Sequence, residues 1–446
     1  MVRETQPMEN LSYPLNRNLS AAQMVKRIQA FNGVLHAVRF YKNPNVDCSI
    51  HLLVKDNIGV RDWPSSAGSF ALKNLRLPDA FCIEQLRKNP RIDIFGKTHL
   101  TELAGFVTSS VLKRGYSELG GFGRNPYGGR FPCGGSSVGS AVAVSAGFCD
   151  AALGTETRGS IMIPAMYNGV YGFKPTRGSI SRTGIIPLSS SFDAPGVLAR
   201  NPELLKEVFL SMTGYDSSDP QSFDFSFCPK PFIRSRPRLL FLRNSSQVSS
   251  ALNFFFIRLA DLGISVVELE TPQIVFDYKE ISSSDIKRDM TKFLEPYGSA
   301  SEPKSFRELV EKYRSRPESH RYGMERLEDA LAMHEPKDKE LANRNIEKAN
   351  DLIESLLLKY DADYIVSSEY LDWWAIGGGP TIAFPVDLGK TPPGCLMVGT
   401  RRNADLALLS LVKAMISVWQ ELRGSVRAEK EEVFSCLPVL IILLFH

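Results

Sequence analysis

The stretch from Gly115 to Gly147 constrains the fold of this chain more than any other part of the sequence. Glycine is dense up to Gly139, which predicts a long loop that bends tightly or approaches another group closely. Residues 140–147, Ser-Ala-Val-Ala-Val-Ser-Ala-Gly, then predict a helix with little side-chain bulk. Such a helix suits the middle of a large core, so we expect a large globular fold around it.

The composition excludes several classes of protein. Hydrophobic residues make up 43% and charged residues 23% of the 446 residues, which is typical of a soluble globular protein. Lysine and arginine number 53 and aspartate and glutamate 49, and no basic run occurs, so nucleic-acid binding is not expected. No apolar run reaches the roughly 18 residues of a membrane-spanning helix, and no secretion signal is visible at the N-terminus.

The cysteines and histidines bear on the compartment and on metal binding. The seven cysteines are scattered without a Cys-x-x-Cys pair, which is typical of reduced thiols and predicts a cytoplasmic protein. The six histidines are widely separated and no His-Glu-x-x-His motif occurs, so neither a metal nor another cofactor is expected.

Predicted helices and strands alternate along the chain. Helical spacing with a Ser20 cap predicts a helix over 20–31, and Ile50–Val54 reads as a buried strand that ends at Lys55. The other predicted segments are helices at 79–88, 202–212, 249–262 and 404–422, and strands at 92–95, 151–155, 238–242, 264–269, 364–366 and 381–386. This order predicts an α/β fold with a mixed central sheet and helices on both faces.

We expect a single domain over residues 1–446. Its expected parts are a core at about 20–200 and 360–425, a charged helical cover at about 285–360 and an atypical tail at 426–446. The apolar run Phe434–Phe445 in this tail is expected to be a buried terminal segment, or an aberrant end of the gene model, rather than a membrane anchor.

Two interpretations of the glycine-rich loop meet objections. A phosphate-binding loop of the Walker type ends in Gly-Lys-Ser/Thr, whereas residues 138–140 are Val-Gly-Ser without a lysine. Residues 135–139 match the Gly-x-Ser-x-Gly of a nucleophile elbow, with Ser137 as nucleophile. That motif follows a core strand directly, but Pro132 interrupts the preceding residues. The histidine that it also needs would have to come from the charged, surface-like sequence around His320 and His334.

A third interpretation is a serine hydrolase whose base is a lysine. Ser136 and Ser160 each lie beside glycine, 24 residues apart, with the small-residue helix and a strand between them. A helix that leads away from Ser136 and a strand that runs back could bring Ser160 next to Ser136. Lys55 ends an apolar strand, where desolvation would disfavour its ammonium form and leave an amine able to accept a proton.

On these residues the chain resembles the amidase signature family, and most closely its peptide amidase-like subgroup. The resemblance covers about residues 48–200 strongly and 285–425 weakly. Its motifs, in chain order, are Leu53-Val-Lys-Asp-Asn-Ile58, Gly96-Lys-Thr-His-Leu-Thr-Glu102, Arg124-Asn-Pro-Tyr127, Gly134-Gly-Ser-Ser-Val-Gly-Ser140, Gly154-Thr-Glu-Thr-Arg-Gly-Ser-Ile161, Gly172-Phe-Lys-Pro-Thr-Arg-Gly178, Thr183-Gly-Ile-Ile-Pro187 and Ser191-Phe-Asp-Ala-Pro-Gly196.

The resemblance implies an amidase with a serine–serine–lysine triad and an acyl-enzyme intermediate. Ser160 would be the nucleophile, Lys55 the base, and Ser136, preceded by a cis peptide bond, would carry protons between them. The backbone N–H groups of Thr157, Arg158, Gly159 and Ser160 would form the oxyanion hole. Ser137 would hydrogen-bond Lys55.

The substrate is expected to be a small or peptide-like amide. For the assembly, a homodimer is considered. Alternatives are a weakened or inactive homologue that acts as a binding or scaffold protein, and a glutamine-dependent amidotransferase subunit. The chain departs from the family pattern at Val138, Met162 and Arg158. One hypothesis for Arg158 is that its charge lowers the pKa of Lys55 and attracts a substrate carboxylate. The alternative is that Arg158 points to solvent and has no role in the site.

Overall fold

A computed structural model describes residues 11–15, 17–109, 115–243, 250–299, 302–333, 339–386 and 392–421. The predicted tail at 426–446 and His334 lie outside these residues. Within them, every helix is too short or too polar to span a bilayer.

An 11-stranded mixed sheet forms the centre of the molecule, as the sequence predicts. The strands are β1 (Val38–Tyr41), β2 (Ile50–Lys55), β3 (Ile92–Thr98), β4 (Tyr116–Ser117), β5 (Gly121–Phe122), β6 (Ala151–Glu156), β7 (Tyr171–Lys174), β8 (Ala194–Ala199), β9 (Arg238–Arg243), β10 (Ser265–Glu270), β11 (Tyr364–Ser367), β12 (Thr381–Val386) and β13 (Gly394–Gly399). The order across the sheet is β1-β3-β2-β6-β8-β7-β12-β13-β11-β9-β10, and β4 and β5 form a separate pair.

The helices are α1 (Ala21–Leu35), α2 (Phe81–Leu86), α3 (Val138–Ser145), α4 (Met162–Asn168), α5 (Pro202–Met212), α6 (Ser250–Asp261), α7 (Tyr278–Leu294), α8 (Phe306–Arg314), α9 (Glu325–Ala332), α10 (Lys339–Lys359), α11 (Trp373–Gly377) and α12 (405–421). Ser20 caps α1 with a capping box to Gln23, which confirms the predicted start of this helix. The helix continues to Leu35, beyond the predicted end.

Helices cover both faces of the sheet, and strand β2 demonstrates this. Successive side chains of a strand point to opposite faces. Leu52 and Val54 belong to the hydrophobic cluster that includes α2 and α5, whereas Leu53 belongs to the cluster that includes α1 and α3. The charged stretch predicted as a helical cover contains most of α7 and all of α8 to α10, although α7 begins before the predicted stretch, at Tyr278. α7, α8 and α9 share one hydrophobic cluster with Leu72 and Leu103.

The small-residue helix α3 lies in the core as predicted, and all eight of its residues are buried. Its position depends on close contact with the backbone: a Cβ on Gly139 would lie 2.3 Å from the carbonyl oxygen of His99 and 2.5 Å from that of Ala37. The Ser140 hydroxyl donates to the carbonyl of Leu153 at 2.8 Å, which ties α3 to β6. The start of α3 is therefore held against the ends of the central strands.

The sheet topology decides where the polar residues meet. β2 pairs with both β3 and β6 in parallel. Because the carboxyl ends of parallel strands lie at the same edge of a sheet, Lys55 at the end of β2 comes next to the loop that follows Glu156 at the end of β6.

Candidate active site

Lys55 is fully buried at the end of β2. Its amine contacts the hydroxyls of Ser136 and Thr155, each at 2.8 Å, and the carbonyl oxygen of Thr155 at 3.1 Å. Burial lowers the pKa of Lys55 to about 7, because the ammonium ion loses its hydration, and the carboxylates of Asp193 and Glu156 oppose this effect only in part. A large share of Lys55 is thus a neutral amine near pH 7.

Ser136 lies in the turn that leads into α3, and its hydroxyl is the third group around the Lys55 amine. The Gly135–Ser136 peptide bond is cis, as the family resemblance implies. The carbonyl of Ser136 accepts a hydrogen bond from the Thr101 N–H at 3.0 Å, which anchors the turn to the end of β3.

Ser160 lies in the loop between β6 and α4, beside the turn that carries Ser136. The N–H of Ser137 donates to the carbonyl of Ser160 at 3.1 Å, so the two segments are joined directly. Glu156 accepts hydrogen bonds from the N–H groups of Ile161 and Met162 at 2.7 and 2.9 Å, which fixes the far side of the loop. The segment of Ser160 therefore lies beside the segment of Ser136, as predicted from the helix and strand between them.

The loop before Ser160 leaves backbone donors unused. The N–H groups of Thr157, Arg158, Gly159 and Ser160 donate to no acceptor within the described part of the chain. Gly159 has φ of +84°, and a Cβ there would lie 2.9 Å from the ring of Tyr370. Glycine is required at this position, and the resulting turn presents adjacent N–H groups, a common way to bind an oxyanion.

A cavity of about 370 Å³ connects these residues. Ser136, Ser160, Thr157 and Arg158 line one side of it. The residues that line the rest include Glu102 and, from distant parts of the chain, Tyr278, Arg326 and Tyr370. Lys55 does not line this cavity itself, but its amine contacts the hydroxyl of Ser136, which does.

A second cavity, of about 710 Å³, adjoins the first at Thr157 and Leu188. It extends to Asn57 and Thr155, and the Asn57 amide donates to the Thr155 hydroxyl at 3.1 Å. Thr155, which contacts the Lys55 amine, therefore lines the second cavity.

The structure corrects the hydrogen bond predicted between Ser137 and Lys55. Ser137 does not hydrogen-bond Lys55; its hydroxyl donates to the Thr155 carbonyl and accepts from the Thr155 N–H, at 3.2 and 3.3 Å. Thr155 occupies the place expected for Ser137 because β6 brings its side chain to the lysine. The same contacts leave Ser137 without a histidine, so a nucleophile elbow is not formed.

Arg158 is paired with an acidic residue. Its guanidinium lies 2.9 Å from the Asp372 carboxylate and 4.8 Å from the centre of the Tyr278 ring. Burial and the two carboxylates near Lys55, and not Arg158, account for the pKa of the lysine. The hypothesis that Arg158 lowers this pKa is therefore not supported.

Comparison with known proteins places this site in a family. The family model described as Amidase matches residues 48–369, which is more than half of the chain and includes Lys55, both serines and the loop of residues 157–160. The chain belongs to the amidase family. The predicted resemblance is thereby confirmed.

Solved structures of the family share the fold of this member. Peptide amidase from Stenotrophomonas maltophilia is 25% identical and superimposes with a TM-score of 0.76, over 93% of this chain and 90% of that chain. Among curated relatives, a glutamyl-tRNA(Gln) amidotransferase subunit from Salinibacter ruber is 42% identical over 183 residues, and one from Campylobacter curvus is 32% identical over 279 residues. The matched parts cover 40% and 60% of this chain, and they span only 34% and 60% of those two proteins.

Several residues of this amidase-family site were missed by the sequence reasoning. Thr155 could have been found, because it directly precedes Glu156 in one of the family motifs. Asp193, which accepts the Thr157 hydroxyl and lies close enough to act on Lys55, also stands in such a motif. Arg326 and Tyr370 had no sequence signal, since they reach the cavity from α9 and from the turn after β11. No group of three or more His, Cys, Asp or Glu side chains that could hold a metal occurs among the described residues.

Proposed function

We propose that this chain hydrolyses a carboxamide, with Ser160 as nucleophile, Ser136 as proton carrier and Lys55 as base. The observation that carries the proposal is the fully buried Lys55 amine at 2.8 Å from the hydroxyl of Ser136, which lines one cavity together with Ser160. The amidase family membership and the likeness to peptide amidase support the same reaction class.

The hydrogen bonds of Lys55 fit the neutral amine. A neutral amine has two N–H groups and one lone pair. The Thr155 carbonyl can only accept a hydrogen bond, and the Thr155 hydroxyl accepts another. In this form the lone pair remains for the Ser136 hydroxyl, which donates its proton toward Lys55, whereas the ammonium form donates to Ser136 instead. This arrangement prepares the serine to take a proton from a neighbouring hydroxyl.

The proposed reaction begins when the Ser160 oxygen attacks the amide carbon. Its proton passes to the Ser136 oxygen as the Ser136 proton passes to Lys55. The C–N bond breaks, the leaving amine takes a proton back through Ser136, and an acyl-serine remains. Water then attacks the acyl group by the same proton route, which releases the carboxylic acid and restores both serines.

The free N–H groups of Thr157, Arg158, Gly159 and Ser160 are suited to the oxygen that becomes negative in each attack. Such donors act without reorganisation because the backbone holds them in place, and the loss of one typically costs about 3 kcal/mol. The Arg158 guanidinium is paired with the Asp372 carboxylate and has no role in this proposal.

Labelling and turnover of the Ser160→Ala variant test the proposal. The wild type is expected to react with a fluorophosphonate probe and to release ammonia from members of a panel of primary amides. Ser160→Ala should lose the label and about 10⁴-fold or more of the turnover, with the fold kept. Ser315→Ala, an exposed serine outside the cavity, is the matched control and should behave like the wild type.

Full turnover by the Ser160→Ala protein would refute the assignment of the nucleophile. A wild type that neither reacts with the probe nor hydrolyses any amide would instead favour the inactive homologue that acts as a scaffold.

A second candidate rests on the curated relatives. The proteins matched in Salinibacter and Campylobacter are named as subunits of an amidotransferase. On this hypothesis the same site releases ammonia from glutamine for use by a partner protein. Glutamine hydrolysis that exceeds the hydrolysis of all other amides in the panel would favour this candidate over a general amidase.

A further inference from the structure

One positive charge on the wall of the 370 Å³ cavity has no carboxylate partner among the described residues. Arg326 lines the cavity from the first turn of α9. Its one hydrogen bond within that part of the chain is from Nη1 to the carbonyl of Gly105 at 3.0 Å, and no ion pair with it occurs there. A guanidinium group has five N–H donors, so most of its capacity to donate is unused.

The other charged residues that line the cavity are already satisfied. The Arg158 guanidinium is paired with Asp372 at 2.9 Å. The Glu102 carboxylate accepts hydrogen bonds from the Tyr313 hydroxyl and from the N–H of Glu118. Arg326 is therefore the lining charge that a ligand would neutralise.

A second unused donor lines the same cavity. The Tyr370 hydroxyl is buried and has no hydrogen-bond partner among the described residues. Its ring packs against Gly159 in the loop that carries Ser160. A buried hydroxyl without a partner is unfavourable, and a bound substrate that accepts a hydrogen bond would remove that cost.

We infer that the substrate amide carries a carboxylate group, which the Arg326 guanidinium binds with the Tyr370 hydroxyl as a second donor. Arginine suits a carboxylate because its planar N–H groups match the two carboxylate oxygens. The expected substrates are carboxylate-bearing primary amides. This inference rests on the proposed function, and it moves the role expected of Arg158 to a residue that the sequence did not indicate.

Matched amide pairs test the inference. The acidic substrates are the monoamides of malonic, succinic, glutaric and adipic acid, and each is compared with a neutral amide of the same length, such as 4-oxopentanamide for succinamate. The wild type should favour at least one acidic amide by about tenfold or more in kcat/KM. Arg326→Met should lower this acidic-to-neutral ratio at least tenfold, chiefly through KM, because a charged hydrogen bond contributes about a tenfold effect or more.

Three further variants separate charge recognition from structural damage. Arg326→Lys keeps the charge and should retain part of the ratio, whereas Tyr370→Phe should lower it with the charge intact. Arg307→Met removes an exposed arginine on α8 that does not line the cavity, and it should leave the ratio as in the wild type. Equal kcat/KM for acidic and neutral amides in the wild type would overturn the inference. An unchanged acidic-to-neutral ratio of kcat/KM in Arg326→Met would also overturn it.

A direct binding measurement keeps this test separate from the test of the reaction. Calorimetry with glutaramate and the Ser160→Ala protein should show binding that Ser160→Ala/Arg326→Met lacks. If neutral amides are hydrolysed without a preference for acidic ones, the carboxylate subsite fails and the proposed reaction stands. If glutaramate binds through Arg326 but no amide is hydrolysed and no probe reacts, the proposed reaction fails and the subsite stands. Equal binding by both proteins, or by neither, contradicts the subsite.

Discussion

The ionisation of Lys55 determines what the site can do near neutral pH. A protonated lysine has no lone pair, so it can only donate to Ser136 and cannot take up a proton. Complete burial works against that form and brings the pKa to about 7. The Thr155 carbonyl and hydroxyl then hold the neutral amine in the orientation that the proposed mechanism needs.

We predict that activity rises with pH through the pKa of Lys55. On neutral amides, kcat/KM should increase with an apparent pKa near 7 and level off on the alkaline side, because only the deprotonated amine accepts the proton. A pH series with circular dichroism at each point measures this and excludes unfolding as the cause.

A decline of kcat/KM as the pH rises above about 7 in the folded protein would contradict this role of the lysine. Lys174 is also buried with a pKa of about 7, but its amine donates to the carbonyls of Pro175 and Gly379 and does not line the smaller cavity. It therefore gives no competing explanation for a profile that depends on the substrate cavity.

At the scale of elements, α3 joins the loop of Ser136 to the core. Small side chains let this helix approach the backbone at His99 and Ala37, which lie beside the paired ends of β3 and β1. Precise placement of Ser136 thus depends on residues that carry no chemistry themselves.

We predict that Gly139→Ala destabilises the protein. The new methyl group would overlap three backbone atoms, two of His99 and one of Ala37, and backbone cannot move aside as a side chain can. The free energy of unfolding should fall by roughly 2–3 kcal/mol. Denaturant unfolding measures the change.

Gly33→Ala in α1 is the matched control, because nothing lies within 4 Å of a Cβ at that position. It should leave stability unchanged or raise it by about 0.5–1 kcal/mol, as alanine favours helix. Equal effects of the two substitutions would show that close packing at Gly139 is not important.

At the scale of the whole molecule, the sheet interleaves distant parts of the chain. β12, β13 and β11 lie between β7 and β9, so strands formed after residue 360 separate two groups of earlier strands. The helical cover of α7, α8 and α9 supplies Tyr278 and Arg326 to a cavity whose serines come from the first half of the chain. This arrangement is the structural reason to expect a single domain.

We predict that the chain unfolds as one cooperative unit, because neither group of strands can leave the sheet without exposing the other. Differential scanning calorimetry should give one transition, with calorimetric and van't Hoff enthalpies that agree. Two well-separated transitions would contradict the single domain and indicate that the helical cover unfolds independently.

The local part of the fold was accessible from sequence patterns. The capped start of α1, the buried strand before Lys55 and the small-residue helix were predicted correctly, because caps and periodicity act between near neighbours in the chain. In the central sheet, the strands β1, β7, β8 and β13 were missed. Three of them contain glycine or proline and the fourth spans only four residues, so the sheet around them rather than their own pattern makes them strands.

The sequence alone determined the α/β class and the family, and it indicated the lysine and serines of the proposed triad, because those residues lie in motifs of contiguous chain. Only the tertiary structure decided how they are used. The partner of Arg158 is Asp372, 214 residues away, and Thr155 rather than Ser137 meets the lysine. The burial that shifts the pKa of Lys55, and the position of the Arg326 charge at the cavity wall, likewise depend on which distant segments pack together, and no local pattern encodes that.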